Sequence, residues 1–88
     1  MKIIGHGRYL NEGELRDLGL RTGRNVMVHE MAILVDVDRI ELGSDVRIDA
    51  FTIITGDVKI GSHVHMAAYA CIFGAGGVEV GDFCGSLE

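Results

Sequence analysis

The chain contains no proline and no tryptophan. Its turns must therefore be made by glycine, aspartate and serine, and thirteen glycines are present for the purpose. Cysteine is scarce too. Cys71 and Cys84 have neither CxxC spacing nor the density of a secreted disulfide framework, so a reducing cytoplasm is the simplest setting. Positive charge is short: eight Lys and Arg face thirteen Asp and Glu, for a net −5. That balance excludes a phosphate-tracking nucleic-acid surface and disfavours an anionic membrane. No apolar run reaches the length of a membrane span, and no signal-peptide pattern opens the chain. Neither nucleic acid nor membrane is an expected partner. What is present, 48% hydrophobic and 24% charged residues in a chain of 88, matches one small folded domain whose own core is marginal.

The informative feature is a period. Leu42, Ile48, Ile54, Ile60, Met66 and Ile72 follow one another at intervals of six, and Val80 comes eight later. Four places beyond each aliphatic stands a residue of modest size: Val46, Thr52, Val58, Val64, Ala70, then Cys84. Six matches neither the helical 3.6 nor a single long strand. It matches a coil of short flat segments joined by tight corners, the hexapeptide signature of a parallel β-helix. Three segments make an eighteen-residue turn. That rule stacks Leu42, Ile60 and Val80, places Phe51 beneath Tyr69, and aligns Asp45, His63 and Asp82. The extra residues at Asp36–Arg39 and at Ala75-Gly76-Gly77 read as corner bulges. Val28 and Leu34, also six apart, read as an earlier and less regular coil.

Before the repeat, Lys2 to Ile4 reads as either a short strand or a frayed start. Asn11 and Glu14 form a capping-box pair that opens a helix over 12–18, and Gly19 supplies the left-handed residue that ends it. Leu10, Leu15, Leu18 and Leu20 are expected to cover the open first coil. The expected organisation is an N-terminal capping segment over 1–25, a β-helix of about three coils over 26–85, and a tail over 86–88. The Leu87-Glu88 end resembles a cloning remnant.

The repeat aliphatic and the residue four later should point inward; positions three and five later should point out. Phe51, Ile53, Tyr69, Cys71 and Phe73 then form an apolar outer stripe that calls for a partner chain. Cys71 reads as a small hydrophobe at that contact. His63 and His65 flank inward Val64 and are the candidates for chemistry. One reading makes them a general base and a helper, with Asp45 or Asp82 orienting His63. The other makes them tolerant solvent-facing corner residues, and the pattern alone favours that second reading. No third ligand is fixed by spacing, so no metal is expected. Gly74-Ala75-Gly76-Gly77 lacks the helix start and the Lys-Ser/Thr of a phosphate cradle.

The runs Ile40-Glu41-Leu42-Gly43-Ser44-Asp45-Val46-Arg47-Ile48-Asp49 and Gly61-Ser62-His63-Val64-His65-Met66-Ala67-Ala68-Tyr69 resemble hexapeptide-repeat acyltransferases. The nearest branch is the sugar O- and N-acetyltransferases, whose N-terminal helix Tyr9-Leu10-Asn11-Glu12-Gly13-Glu14-Leu15 also resembles. The resemblance covers residues 9 to 85. It implies an all-β fold, a left-handed parallel β-helix with a short N-terminal capping helix, associating as a trimer; end-to-end packing of two open last coils would add a dimer of trimers. It further implies acetyl-CoA or another acyl-CoA as co-substrate, a small sugar hydroxyl or amine as acceptor, and a histidine base. Family members continue for several more coils, so a partial chain with short groove walls and weak acetyl-CoA binding is expected. The alternative is a non-enzymatic β-helical module that only packs against its own copies.

Overall fold

The computed structural model describes residues 7–83 with their side chains and the backbone of residues 86–87. The expectations for Lys2–Ile4, Cys84 and Glu88 lie outside the described residues. The chain opens with strand β1 (Tyr9–Asn11) and helix α1 (Glu12–Asp17), then winds into a coil. Its strands are β2 (Arg21–Thr22), β3 (Val26–His29), β4 (Ile33–Val35), β5 (Ile40–Leu42), β6 (Val46–Ile48), β7 (Ile53–Ile60), β8 (His65–Met66), β9 (Cys71–Val80) and β10 (Ser86–Leu87). Apart from the antiparallel β1–β3 pair, every strand pairing is parallel and joins one turn to the next.

Register divides the coil into three faces. The first stacks β3, β6, β8 and β10, with Val28 beside Ile48 and Ile48 beside Met66. The second stacks β4 on the early part of β7 and on β9, Leu34 beside Ile54 beside Ile72. The third stacks β2, β5 and the late parts of β7 and β9, Leu42 beside Ile60 beside Val80. The long strands β7 and β9 bend from the second face to the third. All the irregular length falls at that bend. Asp36–Arg39 carries a 3-10 turn over Val37–Arg39, Gly56-Asp57 makes the short version, and Gly74–Gly77 is the longer bulge where the β7–β9 register shifts.

The expected inward set is the core. Leu42, Val46, Ile48, Ile54, Val58, Ile60, Val64, Met66 and Ala70 are buried, together with Val26 and Ile40. Thr52, fully buried, keeps its hydroxyl satisfied by donating to the Asp49 carbonyl at 3.0 Å. The corner between the third and first faces shows how closely the turns approach. A Cβ on Gly43 would meet the backbone of Gly61 at 2.7 Å, so only glycine fits there. Beside that column, the Arg24, Ser44 and Ser62 N–H groups donate to Ser44 Oγ, Ser62 Oγ and Asp82 Oδ1 respectively, each one turn further on. Side-chain oxygens thus satisfy N–H groups that the strand ladder does not reach.

Helix α1 is capped as expected: Asn11 Oδ1 accepts from the Glu14 N–H at 3.0 Å, and Glu14 reaches back to the Asn11 N–H. Gly19 takes a positive φ of 95°. Leu15 and Leu20 are buried over the first turn, but Leu18 is 63% exposed, contrary to the covering role expected of it. The helix ends at Asp17, and the left-handed step at Gly19 turns Leu20 inward in its place. Asn11→Ala should lose about 1 kcal/mol, read as a lower thermal midpoint with unchanged secondary structure by circular dichroism. Among the described residues no helix is long and apolar enough to cross a membrane.

Candidate functional site

Two columns of side chains border an open groove of about 410 Å³ on the first face. The corner column is Asn25, Asp45, His63 and Phe83, all non-glycine residues at positive φ between 56° and 60°. Asparagine and aspartate tolerate that region better than most; His63 and Phe83 are tied to the turn before, their N–H groups donating to the Ser44 and Ser62 carbonyls at 2.9 and 2.8 Å. Asn25 Nδ2 donates to Asp45 Oδ1 at 2.7 Å, His63 Nδ1 lies 3.6 Å from Asp45 Oδ2, and the His63 and Phe83 rings stack with centroids 4.7 Å apart. Phe83, not Asp82, therefore follows His63. The turn from Ile60 to Val80 holds twenty residues, so Asp82 stacks on Ser62, one place before His63, and accepts from its N–H.

The second column lies on the strands: Met27, Arg47 and His65, paired in register one above another. His65 Nε2 sits 2.8 Å from Asp49 Oδ2 and 3.0 Å from an Arg47 guanidinium nitrogen. Asp49 Oδ1 in turn accepts from the Tyr9 hydroxyl at 2.7 Å and faces Arg47 Nε at 3.2 Å. Tyr9 reaches this point because β1 pairs beside β3, and its ring packs edge-on against His29 with centroids 5.0 Å apart. Partial burial pushes the Asp49 carboxyl up. The hydrogen bonds from His65 and Tyr9, together with the Arg47 charge, outweigh it and hold Asp49 below its ordinary range. Burial, followed by the bond to Asp49, raises the Tyr9 phenol.

The structure thus brings His63 and His65 to one groove but gives them unequal partners. His63 has Asp45 beyond ordinary hydrogen-bond distance, whereas His65 has a short contact with a carboxylate. Asp49 and Tyr9 escape the hexad rule. Asp49 is sixteen residues before His65, a diagonal rather than a stacked relation, and Tyr9 arrives on an antiparallel strand outside the repeat. The one available signal was outward alternation along Arg47-Ile48-Asp49, which puts Asp49 on the same face as Arg47. No group of three or more potential metal ligands occurs among the described residues. The glycine bulge at 74–77 lies at the bend between the second and third faces, away from the groove lining.

The fold and the repeat define a class, the hexapeptide β-helices. The pattern described as bacterial transferase hexapeptide (six repeats) matches residues 39–74. An Escherichia coli dTDP-4-amino-4,6-dideoxy-D-glucose acyltransferase is 34% identical over 85% of this chain and 41% of its own length. AntD, an N-acyltransferase from Bacillus cereus, superposes with a TM-score of 0.83 in its complex with dTDP and 3-hydroxybutyryl-CoA. It is 37% identical there over 89% of this chain and 43% of AntD. An AntD variant in complex with dTDP-4-amino-4,6-dideoxyglucose and coenzyme A gives 0.77 at 37% identity, over 81% of this chain and 39% of AntD. The chain carries the hexapeptide repeat over residues 39–74, is similar in sequence and structure to sugar acyltransferases, and its coil matches their left-handed β-helix fold. It spans less than half the length of these relatives.

Proposed function

We propose that this chain is part of an acyl-CoA-dependent acyltransferase that acylates the amino group of a nucleotide-linked sugar. The supporting observation is its likeness, at 37% identity, to a protein that binds both dTDP and an acyl-CoA. In this reading residues 1–25 cap the coil, residues 26–85 form its body, and the protein works in the cytoplasm as a homo-oligomer. The acceptor amine attacks the thioester carbonyl; the C–N bond forms and the C–S bond breaks. The amine proton passes to His65 and then to the departing sulfur, which leaves as the thiol of coenzyme A. His63 assists from the neighbouring corner.

Release of free coenzyme A from acetyl-CoA and 3-hydroxybutyryl-CoA, with dTDP-4-amino-4,6-dideoxyglucose as acceptor, tests the proposal. His65→Ala should lower kcat by roughly 10²–10⁴, and His63→Ala by less. Rates unaffected by either change would remove both histidines as the base. A second reading, a self-assembling module without chemistry, draws on the exposed stripe of Ile33, Val35, Phe51, Tyr69 and Phe73. Calorimetry on the whole protein of which this chain is part separates the two. Binding of neither dTDP nor acyl-CoA favours the module, whereas binding of both favours the enzyme.

A further inference from the structure

We infer that Asp49, backed by Tyr9, is a positioning residue that holds the neutral His65 ring with its proton on Nε2 and its lone pair on Nδ1. Its catalytic meaning rests on the proposal that His65 is the base; its structural content does not. Two partners of the His65 ring conflict at one atom. Nε2 lies 2.8 Å from Asp49 Oδ2 and 3.0 Å from Arg47 Nη2. A carboxylate only accepts and a guanidinium only donates. The ring nitrogen can donate to Asp49 or accept from Arg47, but not both. The two partners therefore demand opposite tautomers, and only one of the two leaves Nδ1 able to take a proton.

Three observations decide for Asp49. Either bond has one ionised partner and is charge-assisted, but the contact with the carboxylate is the shorter, 2.8 Å against 3.0 Å. Arg47 has another acceptor, since its Nε lies 3.2 Å from Asp49 Oδ1 and its charge is met without the ring. Asp49 is also the better fixed of the two: its side chain is 20% exposed against 49% for Arg47. Tyr9 supplies the fixation, donating at 2.7 Å to the carboxylate oxygen that His65 leaves open. Among the described residues nothing hydrogen-bonds to His65 Nδ1, so that lone pair stays available on the groove side chain. Among the described residues His63 has no equivalent support, Asp45 standing at 3.6 Å. Strand β1, outside the repeat, thus has a role beyond covering an edge: it carries the phenol that locks the carboxylate.

Nitrogen-15 NMR of the histidine side chains, recorded above the ring's titration, reads the tautomer directly. The wild-type chain should show an unprotonated Nδ1 and a downfield proton on Nε2, as carboxylate-bonded imidazoles do. Asp49→Leu should abolish that downfield proton and move the spectrum to the Nδ1–H form, because Arg47 becomes the remaining partner of Nε2. Arg47→Met should leave the wild-type pattern in place. An Nδ1–H form in the wild-type protein, or an unchanged Nε2 proton in Asp49→Leu, overturns the inference. Should Asp49→Leu fail to fold, the wild-type and Arg47→Met spectra still decide it. In an active preparation Tyr9→Phe should lower kcat about tenfold at unchanged KM, less than the roughly 10²–10⁴ loss expected on removing the base itself. If His65→Ala keeps full activity while the NMR pattern holds, the base assignment fails and the positioning role of Asp49 stands.

Discussion

Replacing Ile60 with alanine is expected to cost about 2–5 kcal/mol of folding stability. Ile60 is 1% exposed and lies on the third face between Leu42 one turn before and Val80 one turn after. Truncation removes apolar contacts on both sides and leaves a cavity that rigid neighbouring turns cannot close. Hydrogen bonds fix those turns through the flanking backbone: Gly43 N–H to the Ile60 carbonyl at 2.8 Å and Gly61 N–H to the Val80 carbonyl at 2.8 Å. A small domain is stabilised by about 5–15 kcal/mol in total, so the loss is a large share. Lys59→Ala is the matched control. Its side chain points outward and, among the described residues, pairs with half-buried Glu41 at 3.7 Å, a contact worth less than about 1 kcal/mol. Chemical denaturation of both variants checks the pair; equal midpoints would mean that the inward register is wrong.

The register was legible before any coordinates because a β-helix repeats one requirement. At each flat segment an aliphatic must face the shared interior, and its spacing survives whatever the corners do. Ile48, Ile54, Ile60 and Met66 therefore declare themselves, and so does the capping box at Asn11 and Glu14. What failed depended on corners. Stacking Val80 on Ile60 already absorbs the two extra residues at 74–77, where four residues occupy a bend that the preceding turn makes with Gly56 and Asp57 alone. His63 lies three places after Ile60, and three places after Val80 is Phe83, which takes the stack; Asp82 is one place short. Leu18 was misplaced because a left-handed C-terminal step changes which leucine faces the coil. The site was the least legible part. His63 and His65 were visible as a pair, yet the carboxylate that serves His65 lies on a diagonal and the phenol behind it on a strand with no period. Contacts of that kind come from the strand alignment of a folded coil, not from a repeat in the chain.

Phe73→Asp is expected to convert the protein from an oligomer to a particle of monomer mass, 9.5 kDa. The three faces differ in outward chemistry. The third carries Arg21, Glu41 and Lys59 in a charge ladder, with Glu41 4.0 Å from Arg21 and 3.7 Å from Lys59. The first carries Arg47, Asp49 and His65. The second presents Ile33, Val35, Ile53, Thr55, Cys71 and Phe73, without a charge among them, and its border corner adds the stacked rings of Phe51 and Tyr69, 5.6 Å apart. Tyr69 is 75% and Phe73 67% exposed. A continuous apolar face of this kind is a protein contact surface, and a second copy of the chain is the occupant we propose. The face meets the first face at the Phe51–Tyr69 corner, whereas the groove lining reaches the opposite corner of the first face, at Asn25, Asp45 and His63. A carboxylate at Phe73 stands in solvent in a lone coil and costs the fold little, whereas in a packed interface it is buried without a partner and is strongly unfavourable. Light scattering at micromolar concentration reads the difference. Tyr69→Asp should act in the same direction, and Lys59→Ala, on the charged face, should leave the oligomer intact. A wild-type mass of 9.5 kDa would sink the assembly. A Phe73→Asp variant that keeps the wild-type oligomer would move the contact to another face.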